Sequence, residues 1–244
     1  MTIELFYVLL FFVAALYSAV GHGGASGYLA LMALYGVTPQ EMKPTALTLN
    51  LFVSLTSFIQ YYRGNFFVRR LFLAVSATSV PMAFLGGMMT LEENIYKKIL
   101  GICLLFPVIR FFFFPNPKDE DMRPHNLIIA LVIGAVVGLL SGMIGIGGGI
   151  ILSPLLLLLK WTNQKQTAAI SALFIFVNSI AGLAGQFTKG IQFTPDMIWY
   201  VAVAFSGGLV GAWFGSLKFS QNIIKYILAT VLLIAAYKLL FTTA

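Results

Sequence analysis

The sequence predicts an all-α integral membrane protein built from two homologous repeats of about 125 residues in inverted topology, with helices broken at glycine-rich segments. Three observations lead there. Of 244 residues, 59% are hydrophobic and only 9% charged, and the mean hydropathy is +0.93. A soluble domain carries about 25% charged residues to face water, so a bilayer is the solvent that fits. Apolar stretches also recur along the whole chain, and landmarks in the first half return in the second at a nearly constant offset.

The stretches can be taken in order. Met1 to Glu4 holds no Lys or Arg, so the positive start of a cleaved signal is missing and residues 5–20 read as a first membrane segment. Stretches at 25–36, 45–62, 71–90 and 95–114 follow, then 126–142, 146–159, 167–187, 197–215 and 223–241. A spanning helix needs about 20 apolar residues. The third, fourth and fifth stretches of each half approach that length, whereas 25–36 and 146–159 have the size of half-helices or re-entrant segments. The polar linker 115–124 (PNPKDEDMRP) separates repeat 1, about 4–114, from repeat 2, about 125–241, within a single transmembrane domain spanning 1–244.

The duplication is visible residue by residue. Gly21, Gly23 and Gly24 precede Gly145, Gly147 and Gly148 by 124 positions, as Thr38 and Gln40 precede Thr162 and Gln164. Gln60 and Gly64 match Gln186 and Gly190 at 126, Gly86 lies over Gly211, and Lys97 to Leu100 lies over Lys225 to Leu228. Each half has an odd number of stretches, so the second half enters the membrane from the opposite side. Counting Lys and Arg by alternate gaps places ten on one side (Arg63, Arg69, Arg70, Arg110, Lys118, Arg123, Lys160, Lys165, Lys218, Lys225). The other side has five (Lys43, Lys97, Lys98, Lys189, Lys238). The richer side is expected to be cytoplasmic, with both termini outside the plasma membrane of a prokaryote. A four-plus-four parallel arrangement stays open if one stretch per half is not a separate element.

The formal net charge of +7 falls in short gaps between apolar runs, which suits topology determination and not a nucleic-acid groove. Cys103 is the single cysteine, so no intrachain disulfide can form. No metal-ligand cluster, cofactor motif or nucleotide-binding loop of the GxxxxGKS type is present, so neither a cofactor nor ATP hydrolysis is expected.

The sharpest local signals are GHGGASG at 21–27 and GMIGIGGG at 142–149. Each glycine costs a helix about 1 kcal/mol relative to alanine. Broken backbone is tolerated at membrane depth only where protein or a watery cavity satisfies it. Paired interruptions in the two halves of a membrane protein point to a transporter's binding site. Short helices starting near Ala25 and Gly149 would offer unpaired N–H groups and about half a positive charge at each N-terminus. That makes an anion site without buried Lys or Arg. The candidate binding residues are therefore Gly21, His22, Gly23, Gly24, Ala25 and Ser26 in the first half, and Gly145, Gly147, Gly148 and Gly149 in the second. Thr45 and Ser171, 126 apart at the expected starts of the third stretches, could cap those helices or donate to an anion; Asn50 and Asn178, 128 apart, add amide groups. For a single Ser or Thr the plainer alternative is interhelical hydrogen bonding. For Gly86, Gly87, Gly207 and Gly208 it is tight helix packing, which is preferred there. His22, opposite Ile146 in the second half, could bind an anion when protonated or couple transport to protons, or could be an interfacial residue.

Residues 24–27 (GASG) also match the GxSG pattern of intramembrane serine proteases. That reading needs a histidine on another membrane helix, and the only histidines are His22 and His125. An anion channel is a further alternative, separable from a carrier by saturable, counterflow-stimulated flux.

The duplicated layout, the GHGGASG and GMIGIGGG breaks, Thr45 and Ser171, and the Gly64 and Gly190 turns followed by Phe66, Phe67 and Phe193 resemble the TauE/SafE (sulfite exporter-like) family of membrane permeases. His22 and Lys43-Pro44-Thr45 vary on the family's theme. The resemblance implies export of small sulfur-containing anions, sulfite, sulfoacetate or other organosulfonates, and a fold with seven or eight full spans. The partners expected are the anion and membrane lipid, without nucleic acid; homodimerisation is left open.

Overall fold

The computed structural model describes residues 3–19, 25–113, 122–191, 195–215 and 221–241. Among these there are ten helices and no strand. They are α1 (Ile3–Ala19), α2 (Ala25–Leu34), α3 (Pro39–Arg63), α4 (Arg69–Met88), α5 (Glu93–Phe113), α6 (Leu127–Ile144), α7 (Gly149–Leu158), α8 (Gln164–Phe187), α9 (Pro195–Gly215) and α10 (Gln221–Phe241). Helices α4, α6 and α8, with 20, 18 and 24 residues, are long and apolar enough to cross a membrane. Helices α2 and α7 have ten residues each, about 15 Å of rise, half the thickness of a hydrocarbon core.

The helix starts follow local chemistry, and one expectation is corrected by them. Helix α8 opens on a capping box in which Asn163 Oδ1 accepts from Gln166 N–H at 2.9 Å and Gln166 Oε1 accepts from Asn163 N–H at 3.2 Å. Helix α3 opens after Thr38 with Pro39 at its first position, where the missing N–H costs nothing. Thr45 and Ser171 therefore lie well inside their helices and cap neither. Thr45 Oγ1 instead donates to the Glu41 carbonyl one turn back, at 2.6 Å. The apolar stretches begin later than the helices because polar first turns are still helical.

Packing is set by glycines. Gly134, Gly138 and Gly142 recur every four residues on α6, and a Cβ at any of them would overlap a carbonyl of α4, those of Val75, Ser79 and Ala83 respectively. The order of these contacts makes α4 and α6 parallel, and their pairing is the most extensive among the described residues. Gly87 abuts the Gly182 carbonyl and Gly185 abuts that of Phe84, so α8 runs antiparallel to α4. Gly86 and Gly207 likewise lie on backbone of α6 and α1, and Gly208 on Val53, so all four isolated glycines serve close packing. The opposite face of α6 exposes Ile128, Val132 and Val136, an apolar stripe at one-turn spacing that suits lipid.

Candidate functional site

The second-half glycine run is a true break. Helix α6 ends at Ile144, and Gly145, Gly147 and Gly148 take φ of +86°, +74° and +77° before α7 starts at Gly149. Only glycine enters this region without strain, so the run turns the chain within four residues. Residues 144–149 are all buried. The Gly145 N–H donates to the Ser141 carbonyl at 2.8 Å, and Tyr96 Oη donates to the Ile144 carbonyl at 2.8 Å, which ties off the end of α6.

The start of α7 is different. Gly148 is its N-cap and supplies no side chain. The first intrahelical bonds run from the N–H groups of Ile151 and Leu152 to the Gly148 carbonyl, so those of Gly149 and Ile150 precede the ladder. A buried, uncapped helix start presents partial positive charge to whatever lies before it.

What lies there comes from α3, α6 and α8. A Cβ on Gly147 would fall 2.6 Å from Asn50 Nδ2 and 3.3 Å from Ser179 Oγ; one on Gly148 would fall 3.3 Å from Ser141 Cβ and 2.8 Å from Phe174 Cε1. Asn50 Nδ2 in turn donates to Ser179 Oγ at 3.3 Å across the α3–α8 crossing. Leu47 approaches Gly182 while Asn50 meets Ser179, so α3 and α8 are antiparallel. Ser171 does not face an anion alone: its Oγ pairs with Ser153 Oγ at 2.8 Å, and Ser153 donates to the Gly149 carbonyl at 2.8 Å. Asn178 Nδ2 donates to the Phe174 carbonyl at 2.8 Å.

The structure thus brings Asn50, Gly147, Gly148 and Gly149 together, places Ser171 beside α7 through Ser153, and turns Thr45 back onto its own helix. Gly145 caps α6 and packs on Lys43. Ala25 opens α2 and Ser26 is buried in its first turn. Gly21, His22, Gly23 and Gly24 lie outside the described residues, as does most of the 115–124 linker. Sequence reasoning did not single out Ser141, Ser153 or Tyr96 at the break. Nothing local to Tyr96 signals a partner 48 residues away.

A cavity of about 470 Å³ lies beside the last turn of α6, at Met143, short of the break itself. Residues 38–43 of α3, the end of α8 with Gln186 and Lys189, and Thr90 and Tyr96 line it. Lys43 is half-buried in its wall; its backbone lies where a Cβ on Gly145 would be, within 2.9 Å, and its Nζ donates to the Met89 carbonyl at 3.1 Å. Two lysines and Glu41 are the charged residues of this lining.

Residues 6–239 match the family model for sulfite exporter TauE/SafE. The chain is 36% identical over 242 residues to the probable membrane transporter protein y4hK of Sinorhizobium fredii, covering 95% of this chain and 96% of that one. It is 24% identical to the probable membrane transporter protein YunE of Bacillus subtilis, covering 84% and 82%. It is 23% identical to the sulfite exporter TauE/SafE family protein 6 of Arabidopsis thaliana, covering 67% and 41%. No solved structure matches it. With apolar helices long enough to span a bilayer and a family match over nearly its whole length, the chain belongs to the sulfite exporter TauE/SafE family of membrane transporters.

Proposed function

We propose that this protein is a secondary transporter that exports small sulfur-containing anions (sulfite, sulfoacetate or other organosulfonates) by alternating access. The observation that carries the proposal is the buried, uncapped start of α7 at Gly148 and Gly149, with Asn50 and Ser141 against the preceding turn. Backbone N–H groups and a half-helix dipole hold an oxyanion there without a buried cation, near the middle of the bilayer. The first-half glycines Gly21 to Gly24 would form the counterpart. Antiparallel α3 and α8, third elements of their halves, support two inverted repeats over about 4–114 and 125–241. On that topology the 470 Å³ cavity opens to the outer face of a plasma membrane whose potential drives anions outward.

Flux of sulfite, thiosulfate, sulfoacetate, sulfate and small carboxylates in proteoliposomes is the test. Saturable, counterflow-stimulated flux of the sulfur anions is expected; non-saturating flux without counterflow would mean a channel. The cavity adds a prediction of its own. Lys43→Met should remove about 1 kcal/mol of attraction for an anion passing through it, a rise in KM of about fivefold at low salt. The difference should shrink in high salt as the charge is screened. An unchanged KM at low salt would show that the anion takes another route.

A further inference from the structure

The break carries acceptors as well as donors. Asn178 is fully buried, and its amide orientation is set by its partner: only Nδ2 can donate to the Phe174 carbonyl, so the group left over is Oδ1, an acceptor. That Oδ1 has no hydrogen-bond partner, and neither has Asn50 Oδ1, Ser79 Oγ or Ser141 Oγ. All four residues are fully buried, and they come from α8, α3, α4 and α6.

Contacts place three of them, Asn178, Asn50 and Ser141, beside the turn between α6 and α7. One turn before Asn178, the Phe174 ring lies at Gly148 beside Ser141; one turn after it, Gly182 lies 3.6 Å, measured from its would-be Cβ, from Gly142 Cα. A turn is about 5.4 Å, so Asn178 flanks the end of α6. Asn50 touches Gly147 and Ser141 touches Gly148, whereas Ser79 packs by its backbone on Gly138, further back on α6, and stands apart from them.

An amide oxygen fixed as an acceptor cannot hold an anion. It needs a donor or a cation, and leaving it bare costs about 1–3 kcal/mol. We propose that the free oxygens of Asn178, Asn50 and Ser141, at the C-terminal and hence negative end of α6, bind one Na⁺ ion that accompanies the anion held at the positive end of α7. Hard cations take oxygen ligands. Neutral oxygens suit a single charge; no group of three or more His, Cys, Asp or Glu that could hold a metal ion occurs among the described residues. The C-terminus of α6 and the N-terminus of the half-length α7, meeting at one break, then neutralise both solutes together. The anion half of this pairing rests on the transport function proposed above; the cation site does not.

Binding of ²²Na⁺ to detergent-purified protein, without any anion, tests the site directly. Saturable binding, competed by unlabelled Na⁺ and poorly by choline, is expected. Asn178→Leu should weaken it at least tenfold and Asn178→Asp should keep or strengthen it, with Asn178→Ser as the milder replacement if leucine prevents folding. Absence of saturable binding, or equal binding by Asn178→Leu and the unchanged protein, overturns the proposal. So does saturable ³⁵S-sulfite flux that ignores Na⁺ and rises as pH falls, since the acceptors would then serve an anion that brings its own proton. Na⁺ binding without flux of any sulfur anion would sustain the cation site and refute the anion reading.

Discussion

Gly138→Leu is expected to leave little folded protein. Gly138 is the middle of three glycines on α6, and a Cβ there would fall inside the Ser79 backbone of α4. Backbone cannot step aside as a side chain can. The two helices would have to separate along the most extensive helix pairing among the described residues, with loss of contacts at Gly134 and Gly142 as well. Overpacking a soluble core costs about 1–3 kcal/mol, occasionally more. Here the upper part of that range is expected, because helix association in lipid depends on close packing and has no hydrophobic drive to replace it. Yield of monodisperse protein and its thermal unfolding midpoint measure this. Gly190→Ala is the contrasting case. Gly190 has φ of +75° but open space around it, so only about 1–2 kcal/mol of left-handed strain applies and folded protein should be recovered. Equal yields for the two variants would refute the packing argument.

Gly147→Ala is expected to cut transport at least tenfold while most of the protein still folds. At Gly147 a methyl group meets two penalties at once: a left-handed backbone, about 1–2 kcal/mol, and a Cβ 2.6 Å from Asn50 Nδ2. Relief comes by moving Asn50 or by shifting the turn that positions the start of α7. Either change displaces groups proposed to contact the anion, and a misplacement of about 1 Å in such a site costs about a hundredfold. Flux in proteoliposomes should therefore fall by at least tenfold, with the elution profile of the purified protein little changed. Gly147→Ala with normal flux would show that this turn does not shape the binding site.

Much of the architecture was legible in advance because it rests on composition and local chemistry. Long apolar runs, the half-length stretches and the run of glycines at 142–149 are properties of neighbouring residues: the runs became helices, of which α4, α6 and α8 are long and apolar enough to span, the stretch at 146–159 became the ten-residue α7, and the glycines became a break with three left-handed residues. The isolated glycines at 86, 87, 207 and 208 also fell where close packing was expected. Helix starts were misjudged by several residues at Thr45 and Ser171, since hydropathy detects where apolar character begins and not where the first hydrogen-bonded turn does. Pro39 after Thr38 and the Asn163–Gln166 pair were the local signals for those starts.

The amino-acid order by itself determined the solvent, the helices and the place of the break, because each depends on side chains within a few turns of one another. Tertiary structure alone decided which polar groups meet there. Asn50 reaches Ser179 across 129 residues, and Tyr96 finds the Ile144 carbonyl across 48. It also decided which end of each amide is left over, as the bond from Asn178 to Phe174 leaves an acceptor where a donor was expected. Those pairings follow from how α3, α5, α6 and α8 cross, and crossing is set by glycine-to-backbone contacts between distant segments.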